Sequence, residues 1–234
     1  TAVLAAQQIT NGRVTGVQLG SQSVEFVPGK ITAGDYHFTI GSAGSTVLVC
    51  QTILLALAFA DEPSTVTFEG GTHNGKSPSL SFLQQSFLPL LEQMGVKTQV
   101  NVERYGFYPA GGGKWSITIY PTSELKPFEL IATGAQFSID LDNCSLTAVI
   151  CRLACKIGER EIAAATDTLA WHGVRNELLH VESPAPGNTF QVAIAAEQYA
   201  IMFEEIGQVG VSAERVANGA AIRARDFIAS QAAV

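Results

Sequence analysis

Three consecutive glycines, Gly111 to Gly113, stand between two alternating segments and restrict this chain more than any other feature. Val96-Lys-Thr-Gln-Val-Asn-Val102 precedes them and Trp115-Ser-Ile-Thr-Ile-Tyr120 follows them, each placing apolar and polar residues in turn. That is the pattern of strands with one buried face. The joining stretch, Tyr105-Gly-Phe-Tyr-Pro-Ala-Gly-Gly-Gly113, carries one proline and four glycines. Such a run loses backbone entropy and gives no side chain to a core, so a conformational need must offset it. The needs available are positive φ, a bulged wide turn, or close approach of another backbone or a ligand. A phosphate-binding P-loop is excluded on spacing. Lys114 follows a glycine, but Tyr108 stands where the first P-loop glycine belongs and Trp115 replaces the Ser or Thr.

Around this hairpin the chain reads as mixed helix and strand. Residues 1–9 form a helix tail closed by Asn11-Gly12, and Val14–Leu19 with Ser23–Val27 form a hairpin. A unit of β-α-β-α-β-β order follows: strand Tyr36–Ile40, helix Thr46–Ala60, strand Thr65–Glu69, helix Ser79–Met94, then strands Lys97–Val102 and Lys114–Tyr120. The opening α-β-β matches the end of such a unit, which suggests stacked copies. Two prolines within Pro121 to Pro127 break the pattern and mark a boundary. Beyond it strands are expected near Phe128–Thr133 and Phe137–Leu141, then a helix over about Leu146 to Trp171. Strands Glu177–Glu182, Phe190–Ala195 and Ile201–Gly207 follow, and a last helix over Val211–Ser230 with Ser212 as its N-cap.

Composition narrows the classes of function. Hydrophobic residues make up 47% and charged residues 15%, which suits a heavily buried α/β protein. A net charge of -7 with scattered Lys and Arg argues against a broad nucleic-acid groove, though not against a grip on one RNA end. The longest apolar run, Thr46 to Ala60, is too short for a membrane span and holds Gln51 and Thr52. No membrane partner is expected, and with no signal peptide visible the expected location is cytoplasmic. Cys50, Cys144, Cys151 and Cys155 form no CxxC and read as buried thiols, the last two on one helix face.

A few residues stand out chemically. Gln51 interrupts the apolar run Val47-Leu-Val-Cys-Gln-Thr-Ile-Leu-Leu55, so its amide needs partners, either backbone groups in a core or a ligand. Gly41-Ser-Ala-Gly-Ser45 leads into that helix, where Ser42 or Ser45 can cap it and open N–H groups can face an anion. His73, in the turn Gly70-Gly-Thr-His-Asn74, either faces solvent or meets a phosphate or base. His37, His172 and His180 read as structural, and Asp140 with Asp142 as the solvated edge of a strand. No Ser/His/Asp, HExxH or paired-carboxylate arrangement appears.

The string Arg104-x-Gly106-x-x-Pro109-x-Gly111-Gly112-Gly113 resembles the signature of the RNA 3'-terminal phosphate cyclases. The Gly41–Ser45 loop with Gln51, Gly70-Gly-Thr-His-Asn74 and Pro186-Gly-Asn-Thr189 agree with it. The likeness runs over essentially all 234 residues and is strongest to the bacterial catalytic type. It implies an α+β fold of repeated β-α-β-α-β-β units, like the C-terminal domain of a bacterial translation initiation factor, with an inserted smaller thioredoxin-like α/β domain that lacks redox chemistry. The large domain is then expected over 1–127, the insert over 128–210, and a helix returning to the large domain over 211–234. Both flanks of the family are missing, so the chain reads as a fragment.

The resemblance also implies ATP-dependent conversion of RNA 3'-phosphate ends to 2',3'-cyclic phosphates through a histidine–AMP intermediate, with Mg2+ or another divalent metal. It makes Gln51, Pro78 and His73 the ATP-binding residues. Ser77-Pro78-Ser79 matches the segment over the adenine, with Ser79 and Ser81 where the family commonly has a second proline and a nearby Asp. None of the four histidines lies in the family's nucleophile motif, so no catalytic residue is assigned and the chain alone is expected not to cyclise RNA. Two other readings stand beside this one. One is the family's non-catalytic ribosome-biogenesis branch. The other is an enolpyruvyl transferase, which the scarcity of Lys and Arg weighs against. Oligomeric state is not set by the sequence.

Overall fold

Helix α1 (Ala2–Thr10) stops where Asn11 turns left-handed at φ 48°, and the chain enters a short antiparallel pair, β1 (Arg13–Thr15) and β2 (Glu25–Val27). The computed structural model describes residues 1–41, 43–129, 140–195 and 199–230. Next come β3 (Asp35–Thr39), α2 (Thr46–Ala58) and β4 (Ser64–Gly70). A helical run follows, made of α3 (Leu80–Phe82), a π turn (Leu83–Phe87) and α4 (Leu88–Gln93). The hairpin β5 (Thr98–Arg104) and β6 (Gly113–Ile119) closes the unit in the expected β-α-β-α-β-β order.

These strands form one sheet in the order β3-β4-β6-β5. β3 and β4 are parallel and need the crossover that α2 supplies, whereas β4, β6 and β5 pair antiparallel. β4 and β6 bury every second residue, so Val66, Phe68, Trp115, Ile117 and Ile119 share one face. That face packs on Cys50, Ile53, Leu54 and Leu57 of α2. Each such large side chain contributes about 1.5–3 kcal/mol of burial before entropy is counted. Phe68 stacks on Trp115 at 4.7 Å, and Trp115 Nε1 donates to Thr46 Oγ1 at 2.9 Å, fixing the start of α2 over the sheet. The π turn lies just ahead of Pro89. A proline inside a helix lacks its N–H and collides with the carbonyl four residues back, which a widened turn relieves.

The second unit opens with a 3-10 turn (Leu141–Asn143) and contains β7 (Cys144–Cys151), α5 (Cys155–Leu169), β8 (Arg175–His180), β9 (Gly187–Ala195), β10 (Ala200–Ile206) and α6 (Ala213–Ser230). Its sheet runs β10-β9-β7-β8, with β7 and β8 parallel across α5 and the other pairs antiparallel. The chain is thus a mixed α+β protein with two four-stranded sheets among its described residues. No helix among them is long and apolar enough to cross a membrane.

Several expectations change here. The helix expected over Leu146 to Trp171 begins only at Cys155, because Cys144–Cys151 is the strand between β8 and β9. Only its first half alternates; Ala148 to Cys151 are buried in succession, a continuous apolar run that does not mark a strand. Cys151 therefore ends a strand and Cys155 starts a helix, and they do not share a helix face; Cys155 is exposed. Asp140 caps the 3-10 turn by accepting from Asp142 N, so this pair is not on a strand. The strands expected near Phe128–Thr133 and Phe137–Leu141 fall almost wholly outside the described residues, except that Leu141 belongs to the 3-10 turn. Ser212 does cap α6, accepting from Arg215 N at 3.3 Å. The described part of that helix packs within the second unit. Val216, Ala217, Ala220, Ala221 and Ala224 pack in one core with Leu146, Phe190 and Val192. Its alanine stripe lets α6 lie close against α5 and the β9–β10 face.

One buried group in this unit predicts a pH effect. Glu161 on α5 is fully buried; its Oε2 accepts from Asn188 Nδ2 at 3.0 Å, and Oε1 has no partner among the described residues. Burial pushes its carboxyl up to about 7 from 4.5, the Asn188 hydrogen bond pulling the other way and the Glu214 charge adding to the rise. The folded state thus holds this proton more tightly than the unfolded state. Its contribution to stability is present below about 4.5 and is lost as pH rises through about 7. Glu161→Gln keeps the shape and removes the charge. Its Tm should match the parent's at pH 4.5 and exceed it by about 2–6 °C at pH 8. Equal melting at both pH values would show that Glu161 is not held neutral.

Candidate functional site

A small apolar cleft forms where α2 meets the helical run from Leu80 to Gln93. Val47 and Gln51 come from α2, Pro78 from the loop before α3, and Phe82, Leu83 and Phe87 from α3 and the π turn. Gln51 and Pro78, far apart in sequence, thus line the same cleft. Gln51 is not a core glutamine. It is exposed on the side of α2 that also carries the exposed Leu48 and Leu55. Phe82 and Phe87 are five residues apart, a spacing that at 100° per residue would put them on different sides of an α-helix. The π turn brings both into the cleft.

The cleft holds about 50 Å3, well short of the roughly 300 Å3 at which ligand-enclosing pockets begin. It can seat an edge of a flat group rather than surround one. Its walls are apolar and uncharged, and Gln51 is the one lining residue whose side chain both donates and accepts. In the loop that leads to Pro78, Asn74 Oδ1 and Ser77 Oγ are buried without partners among the described residues. Apolar walls with one amide suit the edge of a heteroaromatic base that carries a donor and an acceptor. Ser79 and Ser81 do not face this cleft. Ser79 caps α3 by accepting from Phe82 N at 3.0 Å, and Ser81 Oγ lies 3.0 Å from His73 Nε2.

The loop before α2 is a capped turn rather than an open anion cradle. Ser45 Oγ accepts from Leu48 N at 3.3 Å, Thr46 N donates to Gly71 O at 3.0 Å, and Gly71 N donates to Gly44 O at 2.9 Å. Asn74 Nδ2 ties the same loop by donating to Ala43 O at 2.6 Å. Ser42 lies outside the described residues.

His73 must be reassigned. It is fully buried, with Nδ1 at 2.9 Å from Thr72 Oγ1 and Nε2 at 3.0 Å from Ser81 Oγ. Both ring nitrogens are used inside the protein, so it cannot contact a nucleotide without breaking that pair. Its ring packs on Tyr105 and Phe107, at 5.0 and 5.4 Å between centroids. Burial holds its pKa below the ordinary 6.5, with the Glu204 carboxylate 3.8 Å away drawing it back up. Glu204 accepts from Thr189 Oγ1 and Gln191 Nε2 on β9, so His73 belongs to the seam between the two units.

The glycine hairpin forms most of that seam. Gly111 and Gly112 adopt φ of 64° and 67°, a region costly to other residues. Gly113 and Gly106 serve close approach, since a Cβ on Gly113 would stand 2.6 Å from Gly106 N and 2.9 Å from Gly70 O. Tyr105 N donates to Glu182 O at 2.8 Å, and Phe107 is buried against Val149 and Cys151 of β7. A Cβ on Gly187 of β9 would overlap the Phe107 ring. The glycines thus let the first unit plug into the second. Gly112→Val meets both an unfavourable φ and Pro184 Cγ, 2.8 Å from the new Cβ, and should lower stability by about 1–3 kcal/mol. A variant melting with the parent would show that this turn is not so constrained.

An α+β protein of two joined sheets, with a small apolar cleft beside α2 and a glycine hairpin at the seam, is the class these features define. A family model described as RNA 3'-terminal phosphate cyclase matches residues 1–208. Curated relatives with that name agree. One from Koribacter versatilis is 41% identical over 233 residues, covering 99% of this chain and 64% of its own length. One from Ectopseudomonas mendocina is 41% identical over 235 residues, covering 100% and 67%. One from Pseudomonas fluorescens is 44% identical over 237 residues, again 100% and 67%. The chain belongs to the RNA 3'-terminal phosphate cyclase family and spans about two thirds of the length of these relatives.

Proposed function

We propose that the protein carrying this chain converts an RNA 3'-terminal phosphate to a 2',3'-cyclic phosphodiester using ATP, and that this chain supplies part of the adenine site. The observation that carries the reading is the meeting of Gln51 and Pro78 in one apolar cleft with Phe82 and Phe87. The relatives' printed name supports the reaction class. The aromatic and proline walls seat one edge of the base, where the Gln51 amide meets its donor and acceptor groups. A histidine attacks the ATP α-phosphate and expels pyrophosphate, the AMP passes to the RNA 3'-phosphate and frees the histidine, and the neighbouring 2'-hydroxyl displaces AMP as it closes the ring.

None of the histidines here is assigned the attacking role. His73 is buried with both nitrogens engaged, His37 lies on β3, His180 ends β8, and His172 follows α5. Among the described residues no three His, Cys, Asp or Glu side chains gather as a metal site. A divalent ion arriving with ATP would take its ligands from phosphates and water, as magnesium commonly does. The same reading treats residues 1–127 as large domain and places the smaller inserted domain after it, with the helix Ala213–Ser230 in the latter.

Gln51→Ala in the intact protein tests this. Loss of one hydrogen bond of about 0.5–1.5 kcal/mol should reduce labelling by radioactive ATP up to about tenfold at subsaturating ATP. The formation of cyclic ends should fall in step, with Tm unchanged because Gln51 is exposed. Undiminished labelling would leave Gln51 a surface residue with no part in the site.

A further inference from the structure

A second cleft, of about 500 Å3, is lined by Arg104, Cys151, Arg152 and the segment Val181 to Pro184. It shares no lining residue with the Gln51 cleft and falls within the size range of ligand sites. Arg104, from the end of β5, and Arg152, just after β7, both line it. Arg104 Nε donates to Gly112 O at 2.7 Å and Arg152 donates through one terminal nitrogen to Pro184 O at 2.9 Å. Each guanidinium is therefore held in place by a backbone carbonyl. Among the described residues neither has a carboxylate within ion-pair distance, and these two are the arginines that line a common cleft. Glu182 lines the same cleft, with no ion pair among the described residues, so one positive charge is left in excess.

In a chain of net charge -7, a cleft that holds two tethered guanidiniums against one carboxylate marks a place for an anion. Arginine forks with their remaining donors free suit a phosphate oxygen pair. We infer that this cleft holds an internal phosphodiester of the RNA strand, upstream of the reacting 3' end. The inference rests on the RNA reading above. It follows from the two clefts being separate: the end that meets the nucleotide is placed by one, and the strand behind it by the other. Two arginines give a local grip, consistent with a chain too acidic to bind long RNA broadly.

The test measures binding of the 234-residue chain to a fluorescent single-stranded RNA decamer, ending in either a 3'-phosphate or a 3'-hydroxyl, from 50 to 200 mM salt. Arg152→Asn is the main variant, since Arg152 sits at φ 52° and asparagine accepts that conformation. Arg104→Gln is the second, and Tm measurements confirm that each variant folds. Each arginine variant should weaken binding about fivefold and flatten the slope of log K against log salt by about 0.7, the value for one phosphate on a single strand. Both RNA ends should lose equally. Glu182→Gln should act in the opposite direction and tighten binding, because it removes the opposing charge. Parent-like affinity and slope in folded arginine variants would overturn the assignment. A loss confined to the 3'-phosphate RNA would also overturn it, placing the reacting end in this cleft instead. If the parent binds neither RNA, the RNA reading itself fails along with the cleft, an outcome distinct from both.

Discussion

Gly106→Ala should cost about 3–5 kcal/mol and lower the Tm by roughly 10 °C or more, the largest effect of any single methyl group considered for this chain. The new Cβ would overlap Gly70 O and stand 2.5 Å from Gly113 N and 2.9 Å from Gly113 Cα. All three atoms are backbone, held by the β4–β6 ladder, so none can swing aside. Gly106 is also pinned from three directions. Its N donates to Thr72 Oγ1 at 2.9 Å, and its O accepts from Thr72 N and His73 N at 2.8 and 3.2 Å. Shifting Gly106 to admit a methyl group would therefore loosen the turn that carries His73. Gly75→Ala is the control, because nothing lies within 4 Å of its Cβ. It should change stability by no more than about 0.5 kcal/mol. Similar Tm values for the two variants would mean that the hairpin and the His73 turn are not packed backbone to backbone.

Phe107→Ala should remove the plug at the seam and cost about 3–5 kcal/mol, the range for emptying a buried aromatic site. Phe107 is 2% exposed and packs on Val149 and Cys151 of β7, against the His73 ring, and over Gly187. Each unit has its own core, so loss of this contact should uncouple them rather than dissolve either one. Calorimetry should then show two transitions, or one broadened transition, where the parent shows one. A single sharp transition with parental Tm would show that Phe107 carries little of the coupling. Tyr105 N to Glu182 O and Ser86 Oγ to Ala200 O would then be the contacts that hold the units together.

How much of this was legible in the sequence varies by residue for physical reasons. The glycine hairpin was plain, since few needs justify three adjacent glycines, and Gly111, Gly112 and Gly113 each meet one of them. Gln51 was conspicuous as a polar residue in an apolar run, but its surroundings were misjudged. Leu48 and Leu55 beside it are exposed, so an apolar helix did not mean a buried face. β7 reads as helix from sequence because its second half, Ala148 to Cys151, is a short apolar run buried in succession, which periodicity cannot tell from a buried helix. The alanine stripe of α6 announces close packing without naming the partner, and the partner is α5 and the second sheet. Phe82 and Phe87 were missed as cleft walls because the π turn shifts the helical phase between them; Pro89 was the available signal. His73 looked like a loop histidine, and only the tertiary structure shows Thr72, Ser81 and the hairpin aromatics closing over it.

The central claim, an adenine cleft built on Gln51, is tested most directly by thermal unfolding of the 234-residue chain against ATP concentration. A ligand that binds only the folded state at 100 times its Kd adds about 2.7 kcal/mol of stability, or several degrees in Tm. ATP should raise the Tm in this way, inorganic triphosphate should not, and Gln51→Ala should need up to about tenfold more ATP for the same shift. Equal ATP shifts for parent and Gln51→Ala at every concentration, or an equal shift with triphosphate alone, would contradict the claim.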